Sequence, residues 1–369
     1  MRRWVGPGLA VLVAVGVVAA IVASVVGHST KGQTSSQLTV VRGVIGSEKQ
    51  SFFLDPRVKA ELARHGLSVQ VDTAGSRQIA TSVDLSRYDF AFPSGSPAAE
   101  KIVQKTGATK SYTVFYSPMA IATWRPILQL LENAGVVQNR GSYYSFRIAP
   151  YLKLVAHNVR WTDLPHNTQY PAGTSILVTS TDVRTSNSAA MYLSIASYVL
   201  NHDNIVESDS QADAVTPRAE QLFLRQGFLE SSSEEPFDDY LSIGMGKTPI
   251  VMIYEAQFVA QVIAADGSIR PDMVLTYPDP EVLSKHIFIP LKPVGDRVGQ
   301  LLLHDPVLER LEATFGFRTN DPAYFRQATA AHHLKLPNDL VDIIEPPAYD
   351  VLEHMIEKIE LAYGNGGSP

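Results

Sequence analysis

Hydrophobic and polar positions follow two periods along this chain, one typical of strands and the other of helices. Leu67–Thr73 and Tyr88–Phe92 alternate apolar and polar residues one by one, which predicts two half-buried strands. An apolar segment that starts at Thr39 predicts another strand, and Val58 and Leu62 recur at helical spacing after it. The chain after residue 37 is therefore predicted to alternate strands with helices.

The starts of several helices are marked by a capping residue followed by proline. Asp55 offers a side-chain acceptor to the first turn, and Pro56 suits the first helical position because no helical partner is needed for its missing N–H there. Gly66 is predicted to end this helix, and Tyr349–Tyr363 is predicted to form a packing helix. The same pairing of a cap with proline occurs at Thr216-Pro217, Asp305-Pro306 and Asp321-Pro322.

Strands separated by helices are typical of βαβ units, so we expect an α/β fold with parallel sheets covered by helices on both faces. Ligands in such folds lie beyond the carboxyl ends of the strands, in loops that lead into helices. Four such loops are rich in small polar residues, and the fourth follows a strand predicted at Ser175–Thr179. These loops are Gly46–Lys49, Ala74–Arg77, Pro93–Ser96 and Thr181–Ser188.

The N-terminal segment is predicted to cross a membrane. Arg2 and Arg3 precede 24 residues without charge, Trp4–Gly27, which as a helix are long enough to cross a hydrocarbon core of about 30 Å. Basic residues ahead of such a run keep the N-terminus in the cytoplasm, so the domain is expected outside. A cleaved signal peptide ending near Val25–Gly27 is the alternative, and it would make the protein secreted. Residues 1–28 are thus predicted to be a transmembrane anchor or signal, and residues 29–37 a linker.

Composition narrows the partners and the chemistry. A hydrophobic content of 45% with 18% charged residues is that of a folded protein, and a net charge of −6 offers no positive field for nucleic acid. The sequence has no cysteine, which excludes disulfides, thiolate metal ligands, a cysteine nucleophile and a lipid-bearing cysteine. We expect no cofactor and no metal.

Two motifs point weakly to other functions. Gly246-Lys247-Thr248 resembles the end of a phosphate-binding loop, but Leu241 stands where that loop needs glycine and Pro249 where its helix would begin. His332 and His333 are adjacent and point in different directions on a helix, which does not suit metal ligation. The Gly-x-Ser-x-Gly elbow of serine hydrolases does not occur. The protein is therefore predicted not to be an enzyme.

Six short segments carry a resemblance to a known family. Two of them, Gly75–Ile79 and Thr179–Ala189, look like ligand loops, and the other four are Tyr116–Trp124, Ile253–Gln257, Leu275–Asp279 and Gly316–Arg318. In this order they resemble the class II periplasmic (extracellular) solute-binding proteins, a group that includes molybdate, sulfate and phosphate binders. It is the order of the segments along the chain that carries the resemblance.

The resemblance implies a periplasmic binding protein type II fold, in which two Rossmann-like lobes are joined by a two-segment hinge. The chain would leave the first lobe near Phe115–Thr123 and return to it near Met252–Phe258. Residues 38–117 and 256–345 would then form the first lobe, residues 118–255 the second lobe, and residues 346–369 a C-terminal helix and tail.

The resemblance also implies a ligand site in the cleft between the lobes. Helix N-termini carry free N–H groups and a partial positive charge, and hydroxyl and amide side chains add neutral donors, which together suit an oxyanion or a carboxylate. The predicted ligand-binding residues are Ser47, Glu48, Ser76, Arg77, Ser94, Ser117, Ser186, Asn187, Ser188, Tyr254 and Glu255.

These site residues also have structural alternatives. A serine at the start of a helix can act simply as its cap, and Tyr254, at the end of an apolar strand, can belong to the core. An ionised Glu255 facing the cleft would repel a bare anion, and it can equally be a solvated or salt-bridged carboxylate at a helix start.

The sequence thus predicts an extracytoplasmic solute-binding protein that captures a small-molecule or oxyanion ligand for an ABC-type transporter, with a membrane permease as its partner. A membrane-anchored extracytoplasmic ligand sensor or assembly protein with the same fold is the alternative. No nucleic acid partner is expected.

Overall fold

A computed structural model describes residues 38–227, 230–337, 340 and 342–364, and the predicted anchor and linker at residues 1–37 lie outside these ranges. The predicted alternation of strands and helices is confirmed in the first part of the chain. Its elements are β1 (Thr39–Ile45), α1 (Gln50–Leu54), α2 (Pro56–Arg64), β2 (Leu67–Thr73), α3 (Ser76–Thr81), β3 (Phe90–Phe92), α4 (Ser96–Thr106) and β4 (Tyr112–Trp124).

Helix α2 shows how local sequence sets the bounds of an element. The Asp55 carboxylate accepts a hydrogen bond from the backbone N–H of Arg57 (2.7 Å), and proline occupies the first helical position, as predicted. The helix ends just before Gly66, whose φ of 76° favours glycine. Val58 and Leu62, on the predicted apolar face, are both buried.

Most elements in the middle of the chain are helices. Its elements are α5 (Arg125–Asn133), β5 (Val137–Asn139), β6 (Tyr144–Arg147), α6 (Ile148–Ala156), α7 (Asn187–Leu200), α8 (Asp209–Ala219), α9 (Gln221–Leu224), α10 (Glu234–Ser242), β7 (Ile250–Tyr254) and α11 (Glu255–Ala264). The strand predicted at Ser175–Thr179 does not form, because its two ends pair with different elements. Ser175 bridges to Arg160 and Thr179 bridges to Val251, so no continuous ladder is built.

Helix α8 corrects one predicted helix start. The sequence predicts that a helix begins at Pro217, but α8 begins at Asp209, where the Ser208 hydroxyl accepts a hydrogen bond from the N–H of Gln211 (3.4 Å). Pro217 lies near the C-terminal end of this helix. Its missing N–H removes one helical hydrogen bond in the last turn, a smaller loss than in a long helix interior.

The last part of the chain returns to the sheet and then adds helices. Its elements are β8 (Met273–Asp279), β9 (Glu281–Pro290), α12 (Pro293–His304), α13 (Pro306–Thr314), β10 (Arg318–Thr319), α14 (Pro322–Thr329), β11 (Ile343–Ile344) and α15 (Tyr349–Gly364). The helix predicted at Tyr349–Tyr363 is confirmed as α15. Among the described residues, no helix combines the length and the apolar character needed to cross a membrane.

The strands form one mixed sheet in the order β2-β1-β3-β9-β4-β8-β6-β5, with β7 and β10 also paired to β4 and β11 to β9. The predicted parallel pairing is confirmed for β1 with β2 and with β3. However, β9 runs antiparallel to β3 and β4, and β7 and β8 run antiparallel to β4. The sheet is therefore mixed, and not parallel throughout as predicted. Antiparallel neighbours need no helical crossover between them, so the alternation of strands and helices did not indicate these pairs.

Strand β4 belongs to both halves of this sheet. From Tyr112 to Pro118 it pairs with β9, and from Met119 onward it pairs with β7 on one side and then, from Ile121, with β8 on the other. Strands β8 and β9 are consecutive along the chain, separated by Pro280 alone, and both pair with β4. The chain therefore passes from one half of the sheet to the other at β4 and again between β8 and β9.

The hydrophobic core consists of a large cluster around the second half of β4 and two smaller clusters around β1, β3 and β9. Phe90 lies at the centre of one smaller cluster, where its ring stacks on Phe288 with 4.5 Å between centroids. The ring also lies against Gly43 on the adjacent strand, in the space that any side chain at residue 43 would occupy.

Replacing Phe90 with alanine should lower the free energy of unfolding by about 3–5 kcal/mol, the usual cost of emptying a buried phenylalanine site. Leu361→Ala is a suitable control because Leu361 is 65% exposed, and it should change the stability by less than about 0.5 kcal/mol. Urea denaturation measures both variants. Equal losses would contradict the central place of Phe90 in this core.

Candidate ligand-binding site

The loops that follow β1, β2 and β3 meet the N-terminus of α7 at the carboxyl ends of these strands. Ser76, the first residue of α3, accepts a hydrogen bond at its hydroxyl from the backbone N–H of Ser94 (2.9 Å). Asn187, the first residue of α7, donates from Nδ2 to the carbonyl of Ser94 (2.8 Å). The structure therefore joins three predicted site residues that lie 18 and 93 positions apart in the sequence.

Two glycines allow these loops to approach so closely. A Cβ atom at Gly75 would clash with the backbone carbonyl of Thr185, and a Cβ at Gly95 would clash with Oδ1 of Asn187. Both glycines have a negative φ, so the site uses their missing side chain and not their backbone freedom. The loop after β2 thus lies in direct backbone contact with the segment that leads into α7.

Beside these loops lies a buried group of polar and charged side chains. The Lys49 ammonium contacts the Glu48 carboxylate, the Ser94 hydroxyl (2.7 Å) and Nδ1 of His286 (3.0 Å). The Ser94 hydroxyl in turn donates to the Glu48 carboxylate. Lys49, Ser94 and His286 are buried, and the side chain of Glu48 is 4% exposed. The Glu48 carboxylate is therefore already hydrogen-bonded within the protein.

Burial and ion pairing act in opposite directions on these groups. Burial alone would raise the pKa of Glu48, but the Lys49 ammonium and His286 hold that pKa well below its ordinary value. Burial and the nearby Lys49 charge lower the pKa of His286 to about 4, so its imidazole is neutral at pH 7. Glu48 is accordingly ionised at neutral pH, beside a neutral histidine.

Strand β9 supplies two site residues that sequence reasoning missed. The Ser284 hydroxyl donates to the Ser94 carbonyl, and His286 contacts Lys49, although Ser284 is 190 positions from Ser94 in the sequence. Within the described residues, Nε2 of His286 is buried without a hydrogen-bond partner. The available sequence signal was the spacing of Ser284, His286 and Phe288 at every second position, which places them on one face of a strand.

The sequence position of Tyr254 suits either a core residue or a site residue, and the structure gives this tyrosine contacts of both kinds. It ends β7 and is 2% exposed, as a core residue is, and its hydroxyl accepts a hydrogen bond from Nδ2 of Asn187 (3.1 Å). Burial and the Glu48 carboxylate raise the pKa of this phenol, so it is neutral at physiological pH. The ring of Tyr254 therefore packs in the core while its hydroxyl reaches the junction of the loops.

The serines at the start of α7 bond to one another. The Ser188 hydroxyl lies 2.8 Å from the hydroxyl of Thr181 and 3.0 Å from that of Ser186. Ser186 occupies the N-cap position, yet its side chain makes no capping hydrogen bond, so the simple capping alternative does not describe it. Ser47, in the short turn after β1, is half-buried.

Two further predicted site residues have partners of their own. Arg77 forms an ion pair with Glu353 (2.8 Å) and donates a hydrogen bond to the carbonyl of Arg184 (2.8 Å). The Ser117 hydroxyl accepts a hydrogen bond from the N–H of Ala256 (3.1 Å). Arg77 therefore ties the loop after β2 to the segment before α7, and Ser117 ties β4 to α11.

Glu255 does not join the other predicted site residues. Its carboxylate is fully buried, receives two hydrogen bonds from Arg318 (2.7 and 2.8 Å) and a third from the hydroxyl of Tyr277 (2.6 Å). Of the two roles open to this residue, the structure shows the salt-bridged carboxylate at a helix start. Its neighbours come from β8 and β10, so no local pattern could indicate them.

A cavity of about 370 Å³ opens beside Glu48. It lies between the turn after β1, helices α10 and α11, and the end of α13, and its volume falls within the range of about 300–1,000 Å³ that is usual for small-molecule sites. The residues that line it are Glu48, Ser51, Asp55, Arg57, Glu234, Phe237, Ala256, Gln257, Ala260, Gln261, Ile263, Ala264, Thr314 and Phe315.

Solved structures share this architecture, although no protein-family model and no curated protein matches the sequence. A periplasmic thiamin binding protein superposes with a TM-score of 0.57 at 12% identity, over 90% of this chain and 98% of that one. AfuA from Actinobacillus pleuropneumoniae, a periplasmic binding protein with fructose-6-phosphate bound, gives 0.54 at 10% identity, over 86% and 96%. Iron-bound HitA from Pseudomonas aeruginosa gives 0.53 at 11% identity, over 89% and 99%.

These likenesses show the fold. The chain has the mixed α/β fold of these solved periplasmic binding proteins, which confirms the fold that the resemblance implied. The prediction that the protein is not an enzyme agrees with these neighbours, which bind thiamin, fructose-6-phosphate and iron.

Replacing Arg318 with alanine should lower the free energy of unfolding by about 3–5 kcal/mol, because it leaves the Glu255 carboxylate buried without its cation. Arg326→Ala on α14 is the matched control, since Arg326 is exposed, and it should have little effect. Thermal and urea unfolding measure both. If Arg318→Ala were as stable as the control, the buried ion pair would not be a structural requirement.

Proposed function

We propose that this protein is an extracytoplasmic solute-binding protein, which captures a small ligand between two lobes and presents it to the membrane permease of an ABC-type transporter. The fold supports this function, because its solved neighbours are binding proteins. The observation that carries the proposal is the contact of Asn187 with Ser94, which joins the start of α7 to the loop after β3.

The residues around this contact supply the polar groups that a ligand needs. Helix starts and neutral hydroxyl and amide groups can bind polar ligands without a fixed charge of their own. The predicted site residues that lie at the junction of the loops contribute to this binding. They are Ser47, Glu48, Ser76, Ser94, Ser186, Asn187, Ser188 and Tyr254.

The division into two lobes is part of the same proposal. Strand pairing supports the first crossing close to its predicted position, at Pro118, where β4 leaves β9. It supports a second crossing near Pro280, between β8 and β9, in place of the predicted Met252–Phe258, because Leu275 and Thr276 of β8 still pair with the second half of β4. Residues 119–279 would then form the second lobe.

Closure of the lobes should depend on Gly75. Gly75→Ala would push the loop after β2 away from the carbonyl of Thr185, so the cleft should close incompletely. We expect at least a tenfold weaker affinity for the ligand that a thermal-shift screen of oxyanions, amino acids, polyamines and sugars identifies, and a larger radius of gyration at saturation. Calorimetry and small-angle scattering measure the two effects.

The control for this variant is Gly173→Ala, because a Cβ at Gly173 meets no atom within 4 Å. It should bind and close like the unchanged protein. Unchanged affinity and size in Gly75→Ala would argue against closure at these loops. If no compound in the screen raised the melting temperature, the solute-binding proposal itself would fail, and the sensor or assembly alternative would gain.

We further propose that the run Trp4–Gly27 holds the domain at the outer face of the membrane. Arg2 and Arg3 ahead of an uncharged run support this orientation. Protease added to intact cells should therefore digest the domain, and N-terminal sequencing should find Met1 or Arg2 on the membrane-bound protein. Full protection from protease would contradict the orientation, whereas a mature N-terminus near His28 would show a cleaved signal.

A further inference from the structure

The cavity beside Glu48 has one charged end and apolar walls. Ala260, Ile263 and Ala264 of α11 line one part, and the rings of Phe237 and Phe315 line others. The acidic residues of the lining are Glu48, Asp55 and Glu234. This combination suits a ligand that has an apolar body and a charged head.

The positive charges near the cavity are already engaged. Lys49 is fully buried and is not among the lining residues, because its ammonium faces Ser94 and His286. Arg57, the basic residue of the lining, gives two hydrogen bonds to the Asp55 carboxylate (2.9 and 3.1 Å). An anion in the cavity would meet the ionised Glu48 without a free cation in the lining, so its binding would be opposed.

Glu234 gives the cavity a second carboxyl group. It opens α10, and its Oε2 accepts a hydrogen bond from Nε2 of Gln257 (3.1 Å), which also donates to the carbonyl of Ser233 (3.1 Å). Both hydrogens of this amide are therefore used within the protein, and neither is left for an oxyanion ligand.

The environment of Glu234 disfavours its charge in the absence of a ligand. Burial, together with repulsion from Glu48 and Asp238, raises the pKa of Glu234 to about 7. The other charged groups of the lining, Asp55 and Arg57, are paired with each other. A positive charge placed between Glu48 and Glu234 would relieve this repulsion.

We propose that this cavity binds a small organic cation, a protonated amine with an apolar body, whose ammonium lies between the carboxyl groups of Glu48 and Glu234. The inference rests on the proposed solute-binding function and gives its ligand a charge opposite to that of an oxyanion. Charge-assisted hydrogen bonds from the ammonium would satisfy the carboxylates. The apolar body would contact α11 and the two phenylalanine rings.

Binding is then linked to a proton. A bound cation favours the ionised form of Glu234 and lowers its pKa, so complex formation releases a proton at a pH below about 7. The affinity for an amine that stays protonated throughout should therefore rise with pH and level off above pH 7. For a pKa of Glu234 near 7 in the free protein and well below 5.5 in the complex, the gain from pH 5.5 to pH 8 is about thirtyfold.

Calorimetry on the full chain in detergent tests this inference with two protonated amines, phenethylamine and putrescine, with the quaternary ammonium choline, and with 2-phenylethanol and sulfate as neutral and anionic probes. We expect at least one amine to bind at pH 8 and to bind about thirtyfold more weakly at pH 5.5. At pH 8 this amine should have a higher affinity than 2-phenylethanol and sulfate. In Glu234→Gln the pH dependence should vanish and the affinity at pH 8 should fall at least tenfold. Glu357→Gln, at an exposed position of α15, is the matched control and should bind like the unchanged protein.

The outcomes separate this inference from the function on which it rests. Binding of sulfate or 2-phenylethanol with none of the amines would overturn the cation and leave solute binding in place. Amine binding that ignores pH, or that survives Glu234→Gln unchanged, would overturn the proposed cavity. Absence of any ligand in the wider screen would instead overturn solute binding. The pH dependence of the unchanged protein decides the linkage even if the variant does not fold.

Discussion

The fold depends on one strand that is shared by both halves of the sheet. Strand β4 offers its two edges over 13 residues, and β7, β8, β9 and β10 all pair with it. A strand in this position must be apolar or satisfy its polar groups internally, and every residue from Ser117 to Trp124 is buried. The strands of both halves of the sheet pair with β4. This shared strand therefore brings the loop that carries Ser94 opposite the start of α7 at Asn187.

The second constraint is electrostatic. An isolated carboxylate moved into a protein interior costs several kcal/mol unless partners compensate for the lost water, and Glu48 has Lys49 and Ser94 as such partners. This compensation uses the side chains that an oxyanion would need. Ser94, which the family resemblance offered to an anion, thus donates its hydroxyl to the protein's own carboxylate, and that carboxylate also borders a cavity.

Local signals predicted local structure, and long-range pairing set the rest. The cap at Asp55 and the period of Leu67–Thr73 were sufficient for α2 and β2, because neighbouring residues decide both. The antiparallel neighbours of β4 could not be predicted, since the pairing of Ser117 with Ser284 follows from the whole fold. Local signals likewise indicated the loops of the candidate site, whereas no local signal placed His286 beside them. Only the pairing of β9 between β3 and β4 brings this histidine beside Lys49.

The point at which β4 changes partners has a mechanical consequence. Pro118 lies opposite Leu283 of β9, and Met119, the next residue, lies opposite Tyr254 of β7. A proline has no N–H to donate to a neighbouring strand, so β4 makes its fewest inter-strand hydrogen bonds at this one peptide unit. The torsional stiffness of the strand should be lowest there, and each half of the sheet then acts as a lever arm. A few degrees of twist at Pro118 would be magnified along those arms into a much larger displacement at the loop tips.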